Sequence, residues 1–231
     1  MIYILLIFLI IMKSIFFPIC IEHFTNAAVK SLTFSSTQAL GQMESQILTE
    51  FNRTHEELIK KLEYEPFPPN NSSTTKKELE NLYEKENNRS PERELDINKQ
   101  LFIIPYIKQW PGLTSKDLVN IERFLSITLN PIIIKIKTQY NRVRPSFLSP
   151  GLNPSIKVPE HPSYPSGHST QIFTIAFFAA EKYPFFANEY REKAEEYATN
   201  REFAGVHYKS DTIFGEKIAK YIFRNSENPL T

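Results

Sequence analysis

Between residues 145 and 167 the chain reads PSFLSPGLNPSIKVPEHPSYPSG, and six of its 16 prolines fall there. A proline has a fixed φ and no N–H to donate, so neither a helix interior nor a central strand can run through such a stretch. The segment must be a long loop. It ends where an apolar run begins, at HPSYPSGHSTQIFTIAFFAA. Whatever the chain folds into has to be built from the elements on either side of this loop.

Those elements read as helices. Residues 26–64 are amphipathic, and 66–75 is a proline and small-polar break. Thr74 or Thr75 can cap a short charged helix, KKELENLYEKENN, and the charge-rich string from Lys76 to Asp96 reads as solvated helix and loop. Thr114 and Asp117 have the spacing of a capping box. Leu118, Ile121, Leu125 and Leu129 follow at helical intervals. Pro131 kinks or restarts that helix, which then runs to about Arg142 and ends near Arg144, because the residue before Pro145 disfavours helix. Beyond the loop, Ile172, Ile175, Ala176, Ala179, Ala180 and Tyr183 share one face. A helix over about 186–203 aligns Tyr190, Ala194 and Tyr197, and a last one covers about 212–224. No alternating strand pattern and no repeat is visible. The expected fold class is all-α, a helical bundle.

The first residues differ in kind. MIYILLIFLIIM is almost wholly apolar, Lys13 interrupts, and SIFFPICI continues. The first run has signal-peptide length, while both together approach a bilayer span with a costly charge near the centre. A signal peptide or membrane anchor over 1–25 is expected, with a buried helix as the alternative. The protein is accordingly expected to be exported (secreted or periplasmic) or membrane-tethered. A helical, charged region at 26–98 and a catalytic region at 99–231 complete the division. Net charge is +1, from 27 basic and 26 acidic residues, which leaves no nucleic-acid footprint. Six glycines against 16 prolines speak against a glycine-loop nucleotide fold, and a lone cysteine, Cys20, allows no internal disulfide. Nothing in the pattern sets an oligomeric state.

Three stretches carry candidate chemistry. In KTQYNRVRP, Lys137 and Arg144 are seven apart, within about 20° of one face if the helix holds that far. They would then form a cationic clamp, although basic residues at a helix end commonly serve the dipole and solvent. In PSYPSGHS, the turn feeding a helix N-terminus can bind an anion through its N–H groups. Gly167 admits close approach, Ser166 adds a hydroxyl, and His168 stands beside them; the ordinary alternative is a structural turn with a structural histidine. In NREFAGVHYKSD, Arg201 extends the inward stripe of its helix and needs a partner that an anion could supply. His207 and Asp211 are four apart, so the carboxylate can hold one imidazole nitrogen and leave the other to attack. That spacing is also commonplace in helices.

Together, the order Lys-x6-Arg-Pro, Pro-Ser-Gly-His, Arg-x5-His-x3-Asp is far more specific. Ten residues at about 5% usage each, with free choice of three positions, arise by chance about once in 10⁷ chains. The pattern resembles the signature of the type 2 phosphatidic acid phosphatase superfamily over roughly 114–223, and its soluble class A acid phosphatase branch in particular. Asn200 stands where that family usually has serine, a change expected to alter positioning slightly.

The resemblance implies a metal-independent phosphomonoester hydrolase, without a cofactor, working through a phosphohistidine. Lys137, Arg144, Ser166, Gly167 and Arg201 would bind the phosphoryl group. His207 would attack, Asp211 would orient it, and His168 would be the general acid. His161 lies outside the signature and reads as a loop histidine. The implied partner is a phosphorylated small molecule or a lipid headgroup, with membrane contact through the N-terminus. Alternatives are a tethered lipid phosphate phosphatase, a vanadium-dependent haloperoxidase that holds vanadate in the same pocket, and a helical binding protein without catalysis. The loop at 146–164 shapes the leaving-group side in a way the sequence does not spell out.

Overall fold

The computed structural model describes residue 60 and residues 66–231. The apolar start at 1–25 lies outside the described residues, as does the amphipathic segment 26–64 apart from Lys60. Among the described residues the chain is helix and loop with no strand, so the expected all-α class holds.

Helix α1 (Ser73–Asn87) is capped by Ser72, whose Oγ accepts from the Thr75 N–H at 3.1 Å. The cap is therefore earlier than Thr74 or Thr75. Thr75 is instead buried and donates its hydroxyl to the Pro68 and Pro69 carbonyls. The Lys76–Asp96 string is not merely solvated: Leu82 is buried and Glu78 turns inward. Helix α2 (Pro91–Lys99) follows with Ser90 as N-cap and proline in its first turn, the position where a missing N–H costs least. A short α3 (Ile103–Ile107) leads to α4 (Ser115–Phe124), which opens on the expected Thr114–Asp117 capping box.

One π-helical turn, Leu125–Leu129, joins α4 to α5 (Asn130–Tyr140). Pro131 sits in the first turn of α5, so the wider turn carries the chain past a residue without an N–H. Helix α5 stops at Tyr140. Asn141 adopts a left-handed conformation, φ 50°, and returns its N–H to the Lys137 carbonyl at 2.8 Å. Lys137 and Arg144 thus do not share a helix face. The proline-rich loop includes one helical turn, α6 (Pro145–Leu148). The remaining helices are α7 (Gly167–Lys182), α8 (Ala187–Phe203) and α9 (Lys209–Asn225), the last starting three residues earlier than its periodicity suggests.

Helix α7 is the centre of the bundle. Ile172, Phe173, Ile175, Ala176, Phe178 and Ala179 are all buried, so it is apolar around most of its circumference, and it packs most extensively against α8 and α9. From α8, Tyr190, Ala194, Tyr197 and Arg201 turn inward along one stripe. The outcome is a bundle with three polar ends brought together: the C-terminus of α5, the N-terminus of α7 and the α8–α9 junction.

Candidate active site

His207 lies in the short link between α8 and α9 and is almost wholly buried. Its Nδ1 is 2.9 Å from Asp211 Oδ2, and its Nε2 is 3.1 Å from Arg144 Nη1. A guanidinium can only donate. Nε2 therefore carries the lone pair, and the Nδ1 proton points at Asp211. Burial pushes the imidazole well below its ordinary range; the Arg144 charge adds to this, and Asp211 opposes it. The ring is thus neutral, with its nucleophilic nitrogen facing a cation.

Asp211 is fully buried in the first turn of α9, where it accepts from the Tyr208 N–H at 3.1 Å. Arg142 reaches Oδ1 at 2.7 Å, and the Ser163 hydroxyl reaches Oδ2 at 2.5 Å. Burial works to raise this carboxyl, yet Arg142, His207 and Ser163 together hold it well below the usual range. Arg142 escaped the sequence reading, as did Ser163. Only Arg142's position two residues before Arg144 hinted at a second cation.

Arg144 is fully buried in the loop after α5 and bound on every side. It donates to the carbonyls of Val206 at 2.7 Å and His161 at 3.1 Å, besides the two imidazoles of His207 and His161. Burial brings it down to about 10. His161 is therefore more than a loop histidine: its Nδ1 sits 3.1 Å from Arg144 Nη2. Lys137 Nζ is caged by the carbonyls of Pro162, Ser163 and Pro165 at 2.7, 3.1 and 2.5 Å. Burial, then the Arg144 charge, pushes it well below the ordinary lysine range.

The Pro-Ser-Gly-His turn lies on this cage. Ser166 caps α7, its Oγ accepting from the Ser169 N–H, and its own N–H donates to the Asp211 carbonyl at 3.0 Å, tying the second signature stretch to the third. Gly167 follows with the Lys137 side chain beside it. His168 is half-buried and donates Nε2–H to the Leu101 carbonyl at 3.3 Å. Burial, then the Arg201 charge, takes it down to about 3. Arg201 is 1% exposed. One of its nitrogens reaches the Ile97 carbonyl at 3.1 Å, while Nε and Nη1 have no partner. Buried N–H groups of a guanidinium without acceptors are costly, and an oxyanion would satisfy both.

Lys137, Arg144, Ser166, Gly167, His207 and Asp211 are thus linked directly. His168 and Arg201 join them through the end of α2 and through the Tyr197 ring, which lies 5.9 Å from the His168 ring and 5.4 Å from the Arg201 guanidinium. Asn200 faces away from this group. It binds Gln100 at 2.9 Å and Arg93 at 2.8 Å, clamping the end of α2 that carries the Ile97 and Leu101 carbonyls. Among the described residues, no group of three or more His, Cys, Asp or Glu side chains could hold a metal ion. No helix among them is long and apolar enough to cross a membrane.

A helical bundle that gathers buried cations around a His–Asp pair has the donors to hold an oxyanion. Residues 122–223 match the model of the PAP2 superfamily. No curated protein matches the sequence. Among solved structures, the first bacterial vanadium-dependent iodoperoxidase is similar with a TM-score of 0.52 at 16% identity, over 71% of this chain and 52% of that one. The chain therefore spans about half the length of that enzyme, and the likeness is one of fold. A transmembrane PAP2-type phosphatidylglycerolphosphate phosphatase from Bacillus subtilis aligns over 77% of this chain and 92% of that one, at 17% identity and a TM-score of 0.47.

Proposed function

We propose that the protein is a metal-independent phosphomonoester hydrolase that works through a phosphohistidine at His207, in the manner of the soluble acid phosphatases. The observation that carries this reading is the tautomer of His207: Asp211 holds Nδ1–H, and Nε2 keeps its lone pair beside Arg144. A PAP2-superfamily fold is suited to phosphoester hydrolysis.

The steps follow from the residues. A phosphoryl group entering beside His207 takes the Arg144 hydrogen bond from Nε2 onto one of its oxygens, and the two free Arg201 donors take another. Lys137 supports the turn at Ser166–Gly167 through its carbonyl cage and adds positive charge behind it. Nε2 attacks phosphorus in line and the ester P–O bond breaks, while the cations stabilise the charge on the equatorial oxygens. Asp211 stabilises the ring as it becomes positive. His168 gives a proton to the leaving alkoxide, then takes one from the water that releases phosphate. The bound phosphoryl charge offsets Arg201, which allows His168 to hold the proton it must give. Vanadate, a tetrahedral oxyanion, suits the same donors, with Arg201, Arg144 and His207 as its holders, and should inhibit.

On the leaving-group side, Leu101, whose carbonyl holds His168, and the following Phe102 are 38% and 71% exposed. Apolar side chains beside the acid favour an amphiphilic ester, so a lipid headgroup stands beside a small phosphorylated molecule as substrate class. Residues 1–25 would place such an enzyme outside the cell or on a membrane. Phosphate release from p-nitrophenyl phosphate, a lysophosphatidic acid and a diphosphate, measured side by side on the full chain, tests the reading. Hydrolysis of at least one ester in the presence of a chelator supports it. Bromide or iodide oxidation with added vanadate, without phosphate release, would replace it with the haloperoxidase.

A further inference from the structure

Glu78 stands on α1, outside the matched segment 122–223. Its side chain nevertheless ends in the site. One oxygen accepts from the Ser210 N–H at 2.6 Å and the other from Arg142 Nη2 at 3.1 Å. Arg142 is fully buried, lies 3.7 Å over the Tyr208 ring, and gives its second arm to Asp211 at 2.7 Å. Asp211 in turn holds His207. A single guanidinium thus serves two carboxylates, and four residues form one line from α1 to the attacking nitrogen.

We propose that Glu78 is a positioning residue for His207. By sharing Arg142 it leaves Asp211 its negative charge, and by gripping the Ser210 N–H it fixes the first turn of α9 on which Asp211 stands. The proposal rests on His207 as the nucleophile.

The charge count makes the reason plain. Arg142 with Asp211 alone is a neutral pair, and a carboxylate fully matched by a buried guanidinium is a weaker partner for an imidazole. With Glu78 present the trio carries one net negative charge, next to a ring that turns positive when it is phosphorylated. The other charged and titratable groups around His207 are the adjacent Tyr208, Lys137 on α5, Arg144 and His161 on the loop, His168 on α7 and Arg201 on α8. The cations among them disfavour a positive ring. Asp211 is the carboxylate in direct contact with it, and Glu78 keeps that carboxylate effective. Helix α1 does not depend on Glu78 for its docking. Tyr83 binds Ser149 at 2.7 Å, Lys85 pairs with Glu202 at 3.1 Å, and Glu86 accepts from the Asn153 N–H at 3.1 Å.

The test compares Glu78→Gln and Glu78→Asp with the parent in the full chain. Glutamine keeps the shape and an oxygen for Ser210 while removing the charge. In nitrogen-labelled protein at neutral pH, the proton on His207 Nδ1 should move upfield in Glu78→Gln as its bond to Asp211 weakens. Turnover should fall about tenfold with KM nearly unchanged, since a positioning effect of roughly 1.4 kcal/mol acts on the transition state and not on phosphate binding. Glu78→Asp should recover part of both. An unmoved Nδ1 proton overturns the proposal, whether turnover is unchanged or falls together with thermal stability, the latter marking Glu78 as a strut. If the parent releases no phosphate from any ester, the hydrolase reading fails, and the position of the Nδ1 proton still decides the role of Glu78.

Discussion

Gly215 on α9 faces the carbonyl oxygen of Ser166 so closely that a β-carbon would lie 2.9 Å from it, and 3.0 Å from Ser169 Cβ. These are backbone and near-backbone atoms of the α7 N-cap and cannot swing away. The absence of a side chain at Gly215 is what lets α9 bring Asp211 against the Pro-Ser-Gly-His turn, where the Ser166 N–H meets the Asp211 carbonyl. Gly215→Ala should therefore push the two helices apart, costing about 1–3 kcal/mol of stability as overpacking does. Activity should fall at least tenfold. Urea unfolding and ester hydrolysis on the same sample check both; a fully active, fully stable Gly215→Ala would mean that the contact is not maintained.

Arg201 separates stability from function. Its unpartnered Nε and Nη1 burden the free protein. Arg201→Met fills a similar volume without buried donors. The variant should unfold no earlier than the parent by heat, yet lose the stabilisation that added phosphate confers, which for a parent at a hundredfold excess over Kd is about 2.7 kcal/mol. Thermal melts with and without phosphate read both. A variant that is strongly destabilised and still responds to phosphate would contradict this assignment.

The three site histidines set an acid limit on stability. His161, His168 and His207 are all depressed, burial being the first cause in each, and His168 lies at about 3. In the unfolded chain each takes a proton near pH 6.5. The stability they contribute is present above that pH. It is lost progressively as pH falls through the interval down to the folded-state values, because only the unfolded state binds protons there. Each histidine adds about 1.4 kcal/mol per pH unit to the slope. Denaturant unfolding from pH 7 to pH 4 should show this fall, and His168→Gln should lessen the slope by about one proton. An equal slope in the variant would show that His168 is not held neutral.

The same depression bears on the pH dependence of turnover. With His168 unprotonated in the free enzyme, the proton for the leaving group enters with the substrate as its monoanion. A phosphate ester loses that proton near pH 6. The alkaline limb of kcat/KM should therefore lie on the acid side of neutrality and shift with the second pKa of the ester when esters of different acidity are compared. A limb fixed at one pH across such a series would place the proton on the enzyme instead.

Much of this was legible in the sequence, for reasons that differ by residue. The helices of the bundle follow from apolar spacing and from the Thr114–Asp117 box, which depend on neighbours within a few positions. His207 and Asp211 lie one helical turn apart, so their contact could be read directly. Lys137 and Arg144 could not be placed by periodicity, because Asn141 turns left-handed and ends α5 between them. Lys137 instead reaches the loop carbonyls of Pro162, Ser163 and Pro165. The roles of Glu78, Ser163 and His161 depend on contacts between distant segments, Glu78 with Arg142 and Ser210 above all, and no local pattern marks them. Asn200, where the family resemblance puts serine and a slight change of positioning is expected, spends its amide on Gln100 and Arg93, which lie far upstream in the chain.

The most direct measurement is the identity of the phosphorylated residue. Full-length enzyme mixed with substrate, quenched in alkali during turnover and digested, should yield one acid-labile, alkali-stable phosphoryl group, on the peptide containing His207. His168→Ala should increase its amount by slowing its hydrolysis, and His207→Ala should show none while retaining less than about 1% of turnover. A phosphoryl group on another residue, or His207→Ala turning over at a substantial fraction of the parent rate, would contradict His207 as the nucleophile.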